Sequence, residues 1–406
     1  MSPPPDIAIP ADVLEIARTL EGAGFEAWCV GGAVRDTLLG EPNSDFDVAT
    51  SATPDRVKEL FKHTVPVGEE FGTIAVRTHR RYHEVTTFRL DVSTDGRRAV
   101  VAFGASLEED LARRDFTINA LAFHPLRHEW RDPFHGRQDL EAGLIRAVGD
   151  ATLRFREDYL RILRALRFAA RFEFTFDDAT WHAAVAAGDG LPTLSAERVR
   201  EEWFKSLRTA RSITHLVTLW WDSGVAARWL PELVEPSALL GTSREATLVE
   251  SLGARRGAAM ARDPVLLTAL LCREPVIVLG RLKASRAEIA RAAAMVTGPA
   301  EPDGVTALAV RRWLAAVGDA ADDLSMIWQL RHGIAPAWVP VMRGVRERGE
   351  PLTRKALAIS GDDLVAAGMP PGPALGSILD QLLAVVVDDP SLNTRESLLT
   401  RARSLA

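Results

Sequence analysis

Two carboxylates two positions apart, Asp45 and Asp47, are the first residues in this chain whose type and spacing point to chemistry. On a strand such residues share a face. Side by side their charges repel, and a divalent cation between them relieves the repulsion. Mg²⁺ suits such a pair, because it takes a few carboxylate oxygens together with water and phosphate oxygens. Two such ions can hold the attacking and leaving oxygens of a phosphoryl displacement. Taken alone, the pattern also fits a solvated strand edge. Upstream, Gly31-Gly32 separates a short apolar strand from a helix carrying Arg35. The glycines let backbone approach a ligand closely, and free N–H groups at a helix start attract phosphate. Alone this reads as a simple strand–helix turn. Together, the two features within Trp28–Val48 put a triphosphate cradle beside a metal site.

Other residues are ambiguous by themselves. Arg113-Arg114-Asp115 reads as a capped turn. Residues Leu153–Phe172 read as one long helix bearing Glu157, Asp158, Arg161, Arg164 and Arg167. On that helix Asp158, Arg161 and Arg164 lie three apart and share a side, next to an apolar stripe of Leu160, Leu163 and Leu166. A salt-bridged helix surface is the plain reading. Glu84, on the strand His83–Leu90, stands where a third metal-facing carboxylate could be, although strand glutamates are usually solvated. The formal net charge of −6 counts against nucleic acid binding, but only a local patch is needed. The segment Arg154–Arg171 supplies one, with six arginines against Glu157 and Asp158.

Six stretches in order carry a family resemblance: VGGAVRDTLLG (30–40), SDFDVATSATPDRVKELF (44–61), LARRDFTINALAF (111–123), DPFHGRQDLEAGLIRAVGD (132–150), REDYLRILRALRFAARF (156–172) and ERVREEWFKSL (197–207). In order and spacing, over roughly residues 25–210, the chain resembles the nucleotidyltransferases of the DNA polymerase β superfamily. Specifically it is similar to the class II, bacterial-type CCA-adding enzymes and the bacterial poly(A) polymerases. The resemblance implies template-independent addition of C and A to the tRNA 3′ end from CTP and ATP. The 3′-hydroxyl would attack the α-phosphate with Mg²⁺ as cofactor, releasing pyrophosphate. It implies Asp45 and Asp47 as catalytic metal ligands, and Gly31, Gly32, Arg35, Arg114, Asp158, Arg161, Arg164 and Arg167 as nucleotide-binding residues, while Asp115 anchors its turn. Residues matching Asp158 and Arg161 pair with the incoming base in the family. The base chemistry agrees, since cytosine and adenine each present an amine donor beside a ring-nitrogen acceptor. Uracil and guanine present the reverse order, and each buried polar group left unpaired costs about 1–3 kcal/mol. A poly(A) polymerase, a CC-only or A-only enzyme, and a catalytically dead RNA-binding module remain as alternatives. The intact carboxylate pair disfavours the last. Segment 91–104, polar at its centre and punctuated by glycine, is read as a mobile loop. By resemblance it is the loop relatives use in switching from C to A, and its presence disfavours CC-only addition.

The elements that must position these groups are predicted as an α+β fold. A small head with a mixed sheet occupies residues 1–150. A helical neck for nucleotide selection and RNA binding follows over 151–240, then a helical body and tail, 241–406, for tRNA. Helices are expected at 12–25, 33–39, 55–61 and 195–207, the last with Ser195 as N-cap. Strands are expected at 26–30 and 45–49, with 73–77 and 82–90 paired. No motif is recognised in 240–406. Across 406 residues, 47% hydrophobic and 26% charged content is an ordinary globular balance, and the length suggests two to four domains. Two isolated cysteines, Cys29 and Cys272, make no disulfide framework. No apolar run is long enough for a membrane helix, and the N-terminus MSPPPDIAIP lacks signal-peptide character. A cytoplasmic location is expected, with no membrane or protein partner implied. No His-Asp dipeptide indicates a metal phosphohydrolase domain.

Overall fold

A computed structural model describes residues 7–41, 46–79, 81–94, 99–239 and 262–405. Asp45 lies outside the described residues. The chain divides into two compact units, Met1–Pro231 and Glu232–Ala406.

The first unit opens with α1 (Ala11–Gly22), whose Val13, Ile16, Ala17 and Leu20 are buried at helical spacing. Strand β1 (Ala27–Val30) is buried throughout, as a central strand covered on both faces should be. Then come α2 (Gly32–Leu38), β2 (Asp47–Thr50) and α3 (Pro54–Leu60). In α3 the Thr53 side chain caps the N–H of Arg56, and Pro54 takes the first turn. Strands β3 (Thr64–Gly68), β4 (Thr73–Thr78) and β5 (Arg81–Thr87) follow. With β8 (Ala122–Phe123) and β9 (Trp130–Arg131) they form a seven-stranded sheet among the described residues, in the order β3-β4-β5-β2-β1-β8-β9. The sheet is mixed: β2 and β5 run parallel and the other neighbours antiparallel. Alternation along β5 separates its faces. His83, Val85 and Thr87 are buried, and the His83 imidazole sits 2.7 Å from Asp12 of α1. Glu84 and Thr86 point the other way.

The described parts of segment 91–104, expected as a loop, are mostly strand, and residues 95–98 lie outside the described residues. β6 (Arg89–Thr94) and β7 (Ala99–Phe103) pair antiparallel, from Arg89↔Phe103 to Thr94↔Ala99. The β-branched residues Val92, Thr94, Val100 and Val101 favour extended pairing, and Asp95-Gly96 between them lies outside the described residues. The hairpin is seated at Gly72, whose φ is +85° and where a Cβ would fall 2.7 Å from the Phe103 ring.

The expected single helix Leu153–Phe172 is two helices. α6 (Ala151–Glu157) ends at Asp158, an extended residue with φ −157° and ψ 106°. α7 (Leu160–Phe172) then begins afresh. The Asp158 carboxylate accepts the Leu160 N–H at 3.0 Å. That local side-chain bond competes with helix continuation, although neither glycine nor proline marks the break. Ile162, Leu163, Ala165 and Leu166 of α7 are buried, and the helix packs on α9 (Ala196–Thr209) and α10 (Ile213–Asp222). Leu160 is only half-buried, so the expected leucine stripe loses its first member to the site described below. After Asp150 the described chain is helical apart from the two-residue strand β11 (Thr175–Phe176), paired with β10 (Leu144–Ile145), and one bridge, Leu233–Cys272.

The second unit is helical, with one apolar cluster running from Val310 to Val345 around Trp313 and Trp338 and another from Leu357 to Ala402. No helix among the described residues is long and apolar enough to cross a membrane.

Candidate active site

The open face of the first unit's sheet meets α7 across a cavity of about 610 Å³. Val30, Asp47, Glu84 and Thr86 line it from the sheet, Gly31 and Gly32 from the turn after β1, and Arg113, Arg114 and Asp115 from the turn after α4 (Leu107–Ala112). Asp158, Arg161, Arg164, Arg167 and Arg171 line it from α7 and the junction just before it, and Arg35, Arg89 and Arg198 also face it. Nine arginines face this space against four carboxylates, Asp47, Glu84, Asp115 and Asp158. Such an excess of positive charge suits a polyphosphate.

The carboxylates on the sheet are neighbours by register. Val48 pairs with Val85 in the parallel β2–β5 ladder, which sets Asp47 beside Glu84, and both reach the cavity. Two carboxylates on adjacent strands facing an arginine-lined cavity form a hard-oxygen donor set that fits Mg²⁺. Among the described residues no cluster of three His, Cys, Asp or Glu side chains stands at metal-binding distance.

Gly31 is required at its position twice over. Its φ is +71° and ψ −129°, and a Cβ there would lie 2.7 Å from Nη1 of Arg114. Arg114 therefore lies directly against the turn that opens α2. Its Nη2 reaches Asp110 at 3.3 Å and its Nη1 the Asn119 carbonyl at 3.4 Å. Its Nε is buried without a hydrogen-bond partner, a donor the chain itself leaves unsatisfied. Asp110 also takes both Arg113 nitrogens, at 2.7 and 2.9 Å. Burial pushes the Asp110 carboxyl up, but Arg114 and Arg113 hold it below the usual range.

Asp115 does anchor its turn. It accepts from the Phe116 N–H and the Asn119 amide, each at 2.9 Å, and from Arg164 at 2.7 Å. Burial would raise its pKa, but Arg164, Asn119 and the Phe116 N–H outweigh that and hold it at about 2. Arg35 is 3% exposed. Its guanidinium donates to Asp36 at 2.7 Å and to Asn119, and lies over the rings of Phe168 and Phe172. Arg35 thus ties α2 to α7 while also lining the cavity. Arg167 pairs with buried Glu202 at 2.6 Å and Arg171 with Asp36 at 2.8 Å.

Asp158 and Arg161 do not share a helix side as expected, since Asp158 precedes α7. Both nevertheless face the cavity. Asp158 accepts from the Leu160 N–H at Oδ1 and from Arg198 at Oδ2, the latter at 2.6 Å. Arg161 donates to Glu157, to the Arg154 carbonyl at 3.0 Å and to the Arg113 carbonyl at 3.3 Å.

Comparison with known proteins gives this geometry a relation. Residues 27–146 match the family model of the poly(A) polymerase head domain. Residues 350–402 match a putative tRNA nucleotidyltransferase domain 2. The CCA-adding enzyme of Latilactobacillus sakei is 38% identical over 399 residues, covering 97% of this chain and 98% of that one. That of Leuconostoc mesenteroides is 36% identical over 393 residues, covering 95% and 94%. The chain belongs to the CCA-adding enzyme family. The Bacillus stearothermophilus CCA-adding enzyme, solved in complex with CTP, superposes with a TM-score of 0.68 at 30% identity, covering 97% of each chain. The Thermotoga maritima CCA-adding enzyme complexed with tRNA shares the fold, with a TM-score of 0.56 at 20% identity.

Within this family member, Gly31, Gly32, Arg35, Asp47, Arg114, Asp158, Arg161, Arg164 and Arg167 converge on one cavity, and Asp45 lies outside the described residues. Sequence reasoning missed Asp110, Asn119, Glu202 and Arg198. Asp110 had a legible signal, standing three and four residues before the two arginines it holds. Asn119 and Glu202 had none, because their partners Arg35 and Arg167 are distant in sequence.

Proposed function

We propose that this chain adds C and A residues to the 3′ end of tRNA, using CTP and ATP without a nucleic acid template. Supporting this is the convergence, on one arginine-rich cavity, of a carboxylate beside the Gly31-Gly32 turn with an Asp158–Arg161 pair suited to reading a base. Asp45 and Asp47, with Glu84 beside Asp47, would hold Mg²⁺, which supplies charge neutralisation at the reacting phosphate and lowers the pKa of the 3′-hydroxyl. The backbone at Gly31 and Gly32 cradles the triphosphate at the start of α2. Arg114, whose guanidinium lies against the Gly31 turn and lines the cavity, contacts the incoming nucleotide there. Arg164 and Arg167 contribute positive charge from α7, fixed in place by Asp115 and Glu202, and Arg35 adds charge from beneath while holding the Asn119 turn. Asp158 accepts from the amine of cytosine or adenine, and Arg161 donates to the ring nitrogen beside it. Catalysis is then positioning together with electrostatic stabilisation.

In this reading the head, residues 1–150, carries the chemistry. The neck, 151–240, selects the nucleotide, and residues 241–406 bind the tRNA. The enzyme would work in the cytoplasm. Asp47→Ala tests the chemistry: it should abolish Mg²⁺-dependent incorporation of labelled CTP while thermal unfolding stays near wild type. Near-normal turnover in that variant would remove Asp47 from the catalytic centre.

A further inference from the structure

We propose that Arg198 and Gly190 are positioning residues for nucleotide choice, holding the Asp158 carboxylate outside the helix in the one arrangement that accepts an amine. This rests on Asp158 being the reader of the incoming base.

Asp158 is an extended residue between two helices. Left to local preference, a segment flanked by helix on both sides would continue as helix. Contacts from two directions oppose that. From α9, Arg198 donates Nη2 to Asp158 Oδ2 at 2.6 Å. Ser195 caps the Arg198 N–H at 3.5 Å, which sets where α9 starts and so where Arg198 stands. From the other side, Tyr159 presses its ring against the short 3-10 segment Ala187–Thr193. At Gly190 a Cβ would fall 2.0 Å from Cε1 and Cζ of that ring. The tyrosine occupies the space a side chain at 190 would need, so any larger residue must displace Tyr159 and with it the adjoining Asp158.

The consequence is chemical as well as geometric. An ionised carboxylate is acceptor-only. With Oδ1 on the Leu160 N–H and Oδ2 on Arg198, its direction is set, and each oxygen retains capacity for another donor. The amine of cytosine or adenine can use that capacity. The carbonyl oxygen of uracil or guanine meets negative charge there and is rejected. If Arg198 is lost or Tyr159 shifted, the carboxylate is free to turn away, and the rejected bases gain ground.

The test is single-turnover incorporation of CTP and UTP into a tRNA ending before CCA, with full-length Arg198→Gln, Arg198→Lys, Gly190→Ala and Asp158→Asn. Arg198→Gln and Gly190→Ala should each lower the preference for CTP over UTP by about tenfold, with Arg198→Lys restoring part of it. A purely structural role would slow both nucleotides equally and leave the ratio intact. That result, alongside a lost preference in Asp158→Asn, overturns the proposal while sparing Asp158 as reader. A preference retained in Asp158→Asn overturns the reading of Asp158 itself, and the proposal with it. Should Gly190→Ala melt early, the comparison of Arg198→Gln with Arg198→Lys decides.

Discussion

Replacing Asp115 by asparagine should destabilise the first unit in a pH-dependent way. Asp115 is 8% exposed and holds Arg164 at 2.7 Å. Its carboxyl titrates at about 2 instead of the ordinary 3.8. That depression of about 1.8 pH units corresponds to roughly 2.5 kcal/mol favouring the ionised, folded form. Because the folded value is the lower one, the contribution is fully present above pH 4 and declines as the pH falls towards 2, with roughly half gone by pH 3. Asparagine keeps the shape and one acceptor oxygen. It forfeits the charge and turns a second donor toward the guanidinium. For a unit of this size the loss amounts to about 5–10 °C in melting temperature at neutral pH. Thermal or urea unfolding of both proteins at pH 7, 5 and 3 measures it. The gap should be widest at pH 7 and 5 and narrow at pH 3. Equal melting at pH 7, or a gap independent of pH, would show that the Arg164 pair does not support the turn.

Gly31→Ala places a Cβ 2.7 Å from Arg114 in a left-handed backbone. It should lower kcat/KM for CTP and ATP by at least about tenfold, as small misplacements at a reacting centre do, and unchanged steady-state kinetics would remove Arg114 from the nucleotide site. Glu84→Gln removes the carboxylate beside Asp47. The Mg²⁺ concentration for half-maximal activity should rise about tenfold, with most activity recovered at saturating Mg²⁺. An unaltered Mg²⁺ titration would make Glu84 an ordinary solvated strand residue.

The sequence shows what depends on local pattern. The buried β1 tetrapeptide, the Thr53 and Ser195 caps and the glycine pair at the start of α2 are legible because apolar period, cap chemistry and backbone freedom act within a few residues. Two features of the site were not. The break at Asp158 arises from a side chain reaching the Leu160 N–H and from Arg198, forty positions away, inside a segment whose apolar spacing continues undisturbed. The β6–β7 hairpin was obscured because glycine and charge at its centre read as a loop while its flanks carried the strand signal. The partners of Arg171, Arg164 and Arg167 on α7, namely Asp36, Asp115 and Glu202, come from three separate elements. Periodicity along one helix cannot show them, although it shows that the arginines fall at a spacing compatible with one site.

Incorporation of labelled CTP and ATP, separately and together with Mg²⁺, into tRNAs ending before CCA, after C and after CC tests the central claim most directly. Addition should require CTP for the first two positions and ATP for the last, and stop at CCA. Long A tails on any RNA with no use of CTP would contradict it and make Asp158 and Arg161 readers of adenine alone.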